Sequence, residues 1–105
     1  MVVRGGVYWA NLDTRRPCVV VSASSVLAVP VWQTHVVPLT SNVDRAALAG
    51  NVLLPGHVTG LPRASVAVPL GLELIDRSWL DDLIGQLPQP LMAALDEGLR
   101  AVLAL

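Results

Sequence analysis

Thr34-His35-Val36-Val37-Pro38-Leu39-Thr40-Ser41-Asn42 decides how this chain is read. A short apolar run ends abruptly in three hydrogen-bonding side chains. A core has no use for three of them together at a strand end. The run therefore reads as a buried strand, and Thr40-Ser41-Asn42 as the edge of a site. Outward from it, Arg15-Arg16-Pro17 stands directly before a second apolar run, Cys18-Val19-Val20-Val21. One strand end then carries guanidinium groups, the other hydroxyls and an amide. If the two ends meet in space, they form a pocket suited to a phosphodiester.

The rest of the chain supplies neighbours for these two strands. Residues 7–12 are aromatic and β-branched and predict a first strand, with 13–16 as its turn. Residues 17–22 are the second, opened by Pro17 where a missing N–H is tolerated. A loop from 22 to 25 has room for a helical turn. Residues 34–39, 51–54, 65–68 and 72–75 are the third to sixth strands. Short strands at this spacing predict a small barrel or strongly bent sheet rather than a βαβ fold. Asp76 suits an N-cap, with a short helical turn over 76–83. From Pro90 the period changes: Leu91, Leu95, Leu99 and Val102 recur at helical spacing, and Met92 and Leu103 widen that face. Asp96 and Arg100 suit an i,i+4 pair on the other side. The expected class is mainly β with α: antiparallel strands and a C-terminal amphipathic helix, in one domain over 1–105.

Composition sets the bounds. With 105 residues, 53% of them hydrophobic, 14% charged and a mean hydropathy of +0.59, the chain is apolar for its size. Another chain covering part of the surface accounts for this, most simply a second copy. Pro, Gly or charge interrupts every apolar run well short of about 18 residues, so no membrane span is expected. Residues 1–6 lack the apolar stretch of a signal peptide, which fits a cytoplasmic protein of bacterial type. Cys18 is the single cysteine, so neither an intrachain disulfide nor a cysteine-based zinc site is expected. No His, Asp or Glu group has metal-ligand spacing, and no cofactor is expected.

Charge is unevenly spread. Residues 1–63 hold five arginines against two aspartates, +3, and residues 64–105 hold two arginines against six acids, −4. Lysine is absent, a bias that a GC-rich coding sequence explains better than function does. The asymmetry predicts a basic face built mainly from the N-terminal part.

Plainer readings stand beside each choice. Arg16 suits a solvated turn, and Thr40-Ser41-Asn42 suits a turn or a helix cap. His35 reads as structural and His57 as exposed. Trp9, Trp32 and Trp79 read as core or interface anchors. Trp32 is the exception, since a loop Trp can stack on an unpaired base.

The order of motifs resembles the MazF/PemK family of toxin endoribonucleases from bacterial toxin–antitoxin pairs. Arg4-Gly5-Gly6-Val7-Tyr8-Trp9 with Leu12-Asp13 comes first, then Arg16-Pro17 with Val19-Val20-Val21-Ser22, then Val37-Pro38-Leu39-Thr40-Ser41-Asn42. Thr59-Gly60-Leu61-Pro62 with Ser65, Ile75-Asp76-Arg77, Leu80, Ile84-Gly85, Leu87, Met92 and Leu95 follow in the family's order. The resemblance implies an SH3-like, CcdB-type barrel, a homodimer, and metal-independent cleavage of single-stranded RNA to 2′,3′-cyclic phosphate and 5′-hydroxyl ends. It implies a small antitoxin whose acidic C-terminal segment inhibits the toxin. The family's catalytic Arg falls on Arg16 and its catalytic Thr on Thr40. Arg15, Ser41, Asn42 and Trp32 are the expected RNA contacts around that pair.

Two departures stand out. Family members usually have a longer, Gly/Glu-containing loop between the first two strands, where only Asp13-Thr14-Arg15 separates Leu12 from Arg16. Many carry an acidic residue followed by Gln before the sixth strand, where this chain has Pro69-Leu70-Gly71-Leu72-Glu73. The first leaves substrate choice and groove openness undecided; the second leaves an acid/base group there unsupported. A dimeric binding module without catalysis, and a gyrase poison in the manner of CcdB, remain as alternatives. The Arg16–Thr40 pair argues against the gyrase poison.

Overall fold

A computed structural model describes residues 1–105. Seven strands form one curled antiparallel sheet: β1 (Gly6–Asn11), β2 (Arg15–Val20), β3 (Gln33–Thr40), β4 (Val52–Leu54), β5 (Ser65–Ala67), β6 (Glu73–Asp76) and β7 (Leu80–Gln86). Their order is β4-β5-β3-β2-β1-β7, with β6 also paired to β3. Two single-turn helices, α1 (Ser24–Leu27) and α2 (Gly56–Thr59), sit in the connections, and α3 (Gln89–Leu103) closes the chain. No helix is long and apolar enough to cross a membrane. The expected mainly-β barrel-like class with a C-terminal helix is borne out.

The apolar strand runs are continuous because both faces of the sheet are covered. Val7, Val19, Val37 and Leu39 point to one core, which Met92 and Leu95 of α3 complete. Tyr8, Ala10, Cys18, Val20, Val36 and Ile75 point the other way, into a second core closed by Leu27 of α1. Period-2 alternation thus sorts apolar residues between two cores rather than between core and water. Burial pushes the Cys18 thiol up to about 12, helped by the negative charge of Glu73, so it stays protonated and inert.

β3 sets the geometry of the site. It pairs with β2 through Cys18↔Pro38, Val19↔Val37 and Val20↔Val36. Continuing that register by two residues would set Arg16 against Thr40. Pairing stops at Pro38, however, and Thr40 joins Val66 of β5 instead. The ends of β2 and β3 therefore part, and a cleft opens between them.

The main departure from expectation lies at 76–83. Only Arg77–Trp79 forms a helical turn, capped by Asp76, whose carboxylate accepts from the Ser78 amide at 2.9 Å. Residues 80–86 are β7. Leu80, Leu83 and Ile84 mimic helical spacing, but β1 lacks a partner on its outer edge, and β7 fills it with irregular register. Tertiary pairing overrides the local pattern here.

A second correction concerns charge. Asp96 pairs not with Arg100 but with Arg4, at 2.5 Å, and Arg4 also donates to the Val21 carbonyl. Arg100 takes Glu97 instead. Asp81 of β7 reaches Arg15 at 3.4 Å. Acids of the C-terminal part thus fold back on N-terminal arginines, so the linear asymmetry does not become a uniformly basic face. None of the three tryptophans enters a core: Trp9 is half-buried, and Trp32 and Trp79 are exposed.

On α3, Met92, Leu95 and Gly98 are buried against the chain's own sheet and loops. Gly98 was invisible to the apolar pattern. A β-carbon there would collide with the Gly50 carbonyl and lie 3.0 Å from Pro69. In the segment 69–73, which lacks the family's acidic-Gln pair, Pro69 packs beneath this helix, and none of the five residues lines the β2/β3 cleft.

Candidate active site

The cleft between β2 and β3 is a pocket of about 600 Å³. Arg16 and Pro17 form one side, Leu39, Thr40 and Ser41 a second, and the segment 61–65 between α2 and β5 a third, with Trp9 beside them. The two strand ends singled out in the sequence do meet in space.

Arg16 is oriented by its own turn. Its Nε donates to Thr14 Oγ1 at 3.0 Å, and Nη2 lies 3.5 Å from Asp13 Oδ2. The tight three-residue turn, in which the Leu12 amide donates to the Thr14 carbonyl, puts both partners in reach. Nη1 is left without a partner. Thr40 Oγ1 accepts from the Asn42 amide at 3.2 Å, so the hydroxyl proton is free to be donated into the cleft. Ser41 is exposed at the rim.

The other expected contacts divide. Asn42 Oδ1 accepts from the Asp44 amide at 3.2 Å and caps a 3-10 turn, so the capping reading holds for that atom. Arg15 stacks on Trp9, with its guanidinium carbon 5.2 Å from the ring centroid, while Asp81 holds its other side. Such a stack is worth about 0.5–1 kcal/mol at an exposed site. Arg15, Asn42 and Trp32 lie outside the pocket lining, and Trp32 is instead next to β6, where its carbonyl accepts from the Arg77 amide.

The third wall contains the motif Leu61-Pro62 with Ser65, to which the sequence assigns no place in the site, and it brings in a residue outside the expected set. Arg63 lines the pocket, exposed and without a hydrogen-bond partner. Its signal was faint: one arginine between Pro62 and Ala64, in a loop with no apolar periodicity. Trp9, expected as a core or interface anchor, lines the cleft instead. The lining holds two guanidiniums and no carboxylate, imidazole or thiol. It can bind and polarise an anion; it has no side chain that titrates near neutrality.

The wall itself is fixed by backbone contact. Gly60 adopts a left-handed conformation, φ +78°, and lies flat against the Ile84 carbonyl of β7. A β-carbon on Gly85 would come within 2.5 Å of the Thr59 and Val58 carbonyls. Only glycine permits so close an approach at both positions. Thr59 is fully buried, donating to the Gly56 carbonyl and accepting from the Leu61 amide at 3.1 Å.

Comparison with known proteins gives the chain a family. Residues 3–103 match the family described as the PemK-like, MazF-like toxin of type II toxin–antitoxin systems. Endoribonuclease MazF6 of Mycobacterium tuberculosis (strain ATCC 25618 / H37Rv) is 34% identical over 113 aligned positions, covering 100% of this chain and 99% of the relative. Endoribonuclease MazF2 of Mycobacterium bovis (strain ATCC BAA-935 / AF2122/97) matches to the same extent. Among solved structures, the Mycobacterium tuberculosis toxin MazF-mt6 superposes with a TM-score of 0.84 at 27% identity, covering 95% of this chain and 97% of that one. An endoribonuclease in complex with its cognate antitoxin, from a mycobacterial species, gives 0.87 at 21% identity over 100% and 97%, a likeness of fold. With a match of this length and relatives this similar along their whole lengths, the chain belongs to the PemK/MazF family of toxins.

Proposed function

We propose that the β2/β3 pocket is where this endoribonuclease of the PemK/MazF family cuts single-stranded RNA, with Arg16 and Thr40 as catalytic residues. The observation that carries the reading is the convergence of a turn-oriented guanidinium and a free hydroxyl on one cleft with no carboxylate in it. In the reaction, the 2′-oxygen of a ribose attacks the adjacent phosphorus and the bond to the 5′-oxygen breaks. The products are a 2′,3′-cyclic phosphate and a 5′-hydroxyl; the proton lost by the nucleophile balances the one gained by the leaving oxygen. The nucleophile belongs to the substrate, so no activated water is needed. Negative charge builds on the phosphorane oxygens, and Arg16 faces it with preset geometry. Thr40 holds the phosphate in line through its hydroxyl proton, and Ser41 extends the polar rim. Arg15, Asn42 and Trp32 act further along the strand, outside the pocket.

Residues 1–105 work as one toxin domain, in the cytoplasm, where the RNA is. The partner is a cognate antitoxin with an acidic C-terminal segment that occupies the Arg16–Thr40 cleft. A neighbour of the same fold is solved in complex with its cognate antitoxin, which supports a partner of that kind, and the pair of guanidiniums in the cleft suits an acidic segment. The working form is a homodimer. Exposed apolar side chains support that state, among them Leu70 at 80%, Trp32 at 67% and, at the end of α3, Leu103, while Met92 and Leu95 of that helix belong to the chain's own core. Light scattering at micromolar concentration checks it; a monomer there contradicts it.

The test of the activity is direct. Purified protein is incubated with 3′-labelled bulk RNA in EDTA, and the new ends are mapped. Cyclic-phosphate and 5′-hydroxyl ends at defined sites are expected. Cleavage abolished by EDTA overturns the proposed chemistry, and no cleavage under any condition returns the chain to a binding module.

A further inference from the structure

Arg63 differs from the other cation of the pocket. Arg16 is held by Thr14 and Asp13, whereas Arg63 makes neither a hydrogen bond nor an ion pair with any group of the chain. It is not placed at random. The segment that carries it is locked to β7 through the Gly60 and Gly85 backbones and the buried Thr59 hydroxyl. The fold therefore anchors the chain segment that carries an unpaired, exposed guanidinium at the edge of the cleft, on a wall separate from the Arg16–Thr40 pair. The pocket, at about 600 Å³, is of the size that encloses a whole small-molecule ligand and exceeds the needs of one phosphate. No carboxylate in the lining offsets the second charge.

We propose that Arg63 binds a second phosphate of the same RNA strand, one flanking the scissile phosphate. This rests on the reading of Arg16 and Thr40 as the cleavage site. Arg63 contributes ground-state and transition-state binding alike, so it governs KM and leaves kcat alone. The cleft then takes up at least two consecutive phosphates, which disfavours mononucleotides and free phosphate.

The experiment uses a short RNA spanning one site mapped on bulk RNA, with a set of analogues in which a single flanking phosphate is a neutral methylphosphonate. A version with 2′-deoxyribose at the cleavage site measures binding alone. Wild type, Arg63→Gln, Arg63→Lys and Arg16→Gln are compared over a series of salt concentrations. Arg63→Gln is expected to raise KM about tenfold, the weight of one charge-assisted hydrogen bond, with kcat held. Its salt dependence should be shallower by about 0.7 in log–log slope, the value for one phosphate contact on a single strand. Wild type should lose affinity for one flanking methylphosphonate to which Arg63→Gln is indifferent. Arg63→Lys should recover part of the affinity. Unchanged KM and slope in Arg63→Gln overturn the proposal. So does a loss of kcat at constant KM, which would move Arg63 into the chemistry, or sensitivity of Arg63→Gln to every methylphosphonate that affects wild type. Arg16→Gln with full kcat instead sinks the cleavage-site reading, and the deoxy analogue still reads Arg63 by itself.

Discussion

The β2/β3 cleft and the seam between α3 and the sheet are built on opposite terms. At the cleft, strand pairing stops early, polar groups are left with bonding capacity unused, and the side chains reach water. At the seam, Leu95 is fully buried and Gly98 lies against the backbone of residue 50 without a gap. One region keeps free valence for a ligand; the other leaves none. Changes at the cleft should alter turnover and spare stability, and changes at the seam should do the reverse.

The largest effect should come at the seam. Leu95→Asp places a carboxylate where no polar partner exists, at a cost of several kcal/mol, comparable with the whole stability of a domain this size. Loss of the cooperative melting transition by circular dichroism is expected. A folded Leu95→Asp protein would show that α3 is not part of the core. Next comes Arg16→Ala, which should lower kcat roughly 10²-fold. Its Tm should match wild type, because the side chain is half exposed and bonded only to its own turn. A large Tm drop in that variant would erase the contrast between the two regions. Gly98→Ala should cost about 1–3 kcal/mol by overpacking and lower Tm, while kcat per folded molecule holds. An unchanged Tm would mean that the helix slides freely on its loop.

The smallest effect tests a part of the molecule belonging to neither region. Hydrogen bonds from the Ser78 amide and hydroxyl hold the Asp76 carboxyl below its ordinary value. A depressed carboxyl stabilises the fold fully above its unfolded pKa and loses that contribution as pH falls through the folded one. Asp76→Asn keeps a capping oxygen but should flatten that acid limb of the stability curve slightly. An identical limb in both proteins would show that the cap carries no charge-dependent part.

Legibility in the sequence followed the same divide. The cleft's first two walls could be read because unlike residues stood side by side: arginines before Pro17, hydroxyls after Leu39. The register Cys18↔Pro38 then brought those ends together. The third wall's motif, Thr59-Gly60-Leu61-Pro62 with Ser65, is legible but its place is not, because it reaches the cleft only through the contact between Gly60 and β7, across more than twenty residues of chain. β7 itself was hidden, since Leu80, Leu83 and Ile84 fit a helix as well as a strand until β1 asks for a partner. The Arg4–Asp96 pair was missed for the same reason: local spacing favoured Arg100.

The place of β1 in the sheet gives the fold a timing. Its two neighbours are β2, made at once, and β7, which spans residues 80–86, and Arg4 finds Asp96 only later still. At a synthesis rate of about 5–20 residues per second, the first strand waits several seconds for its outer partner. Until β7 emerges, the wall carrying Arg63 has no Ile84 and Gly85 to rest against, and the cleft has two sides instead of three. A nascent chain is thus a toxin in sequence before it is one in shape, and that interval is open to any binding partner already present.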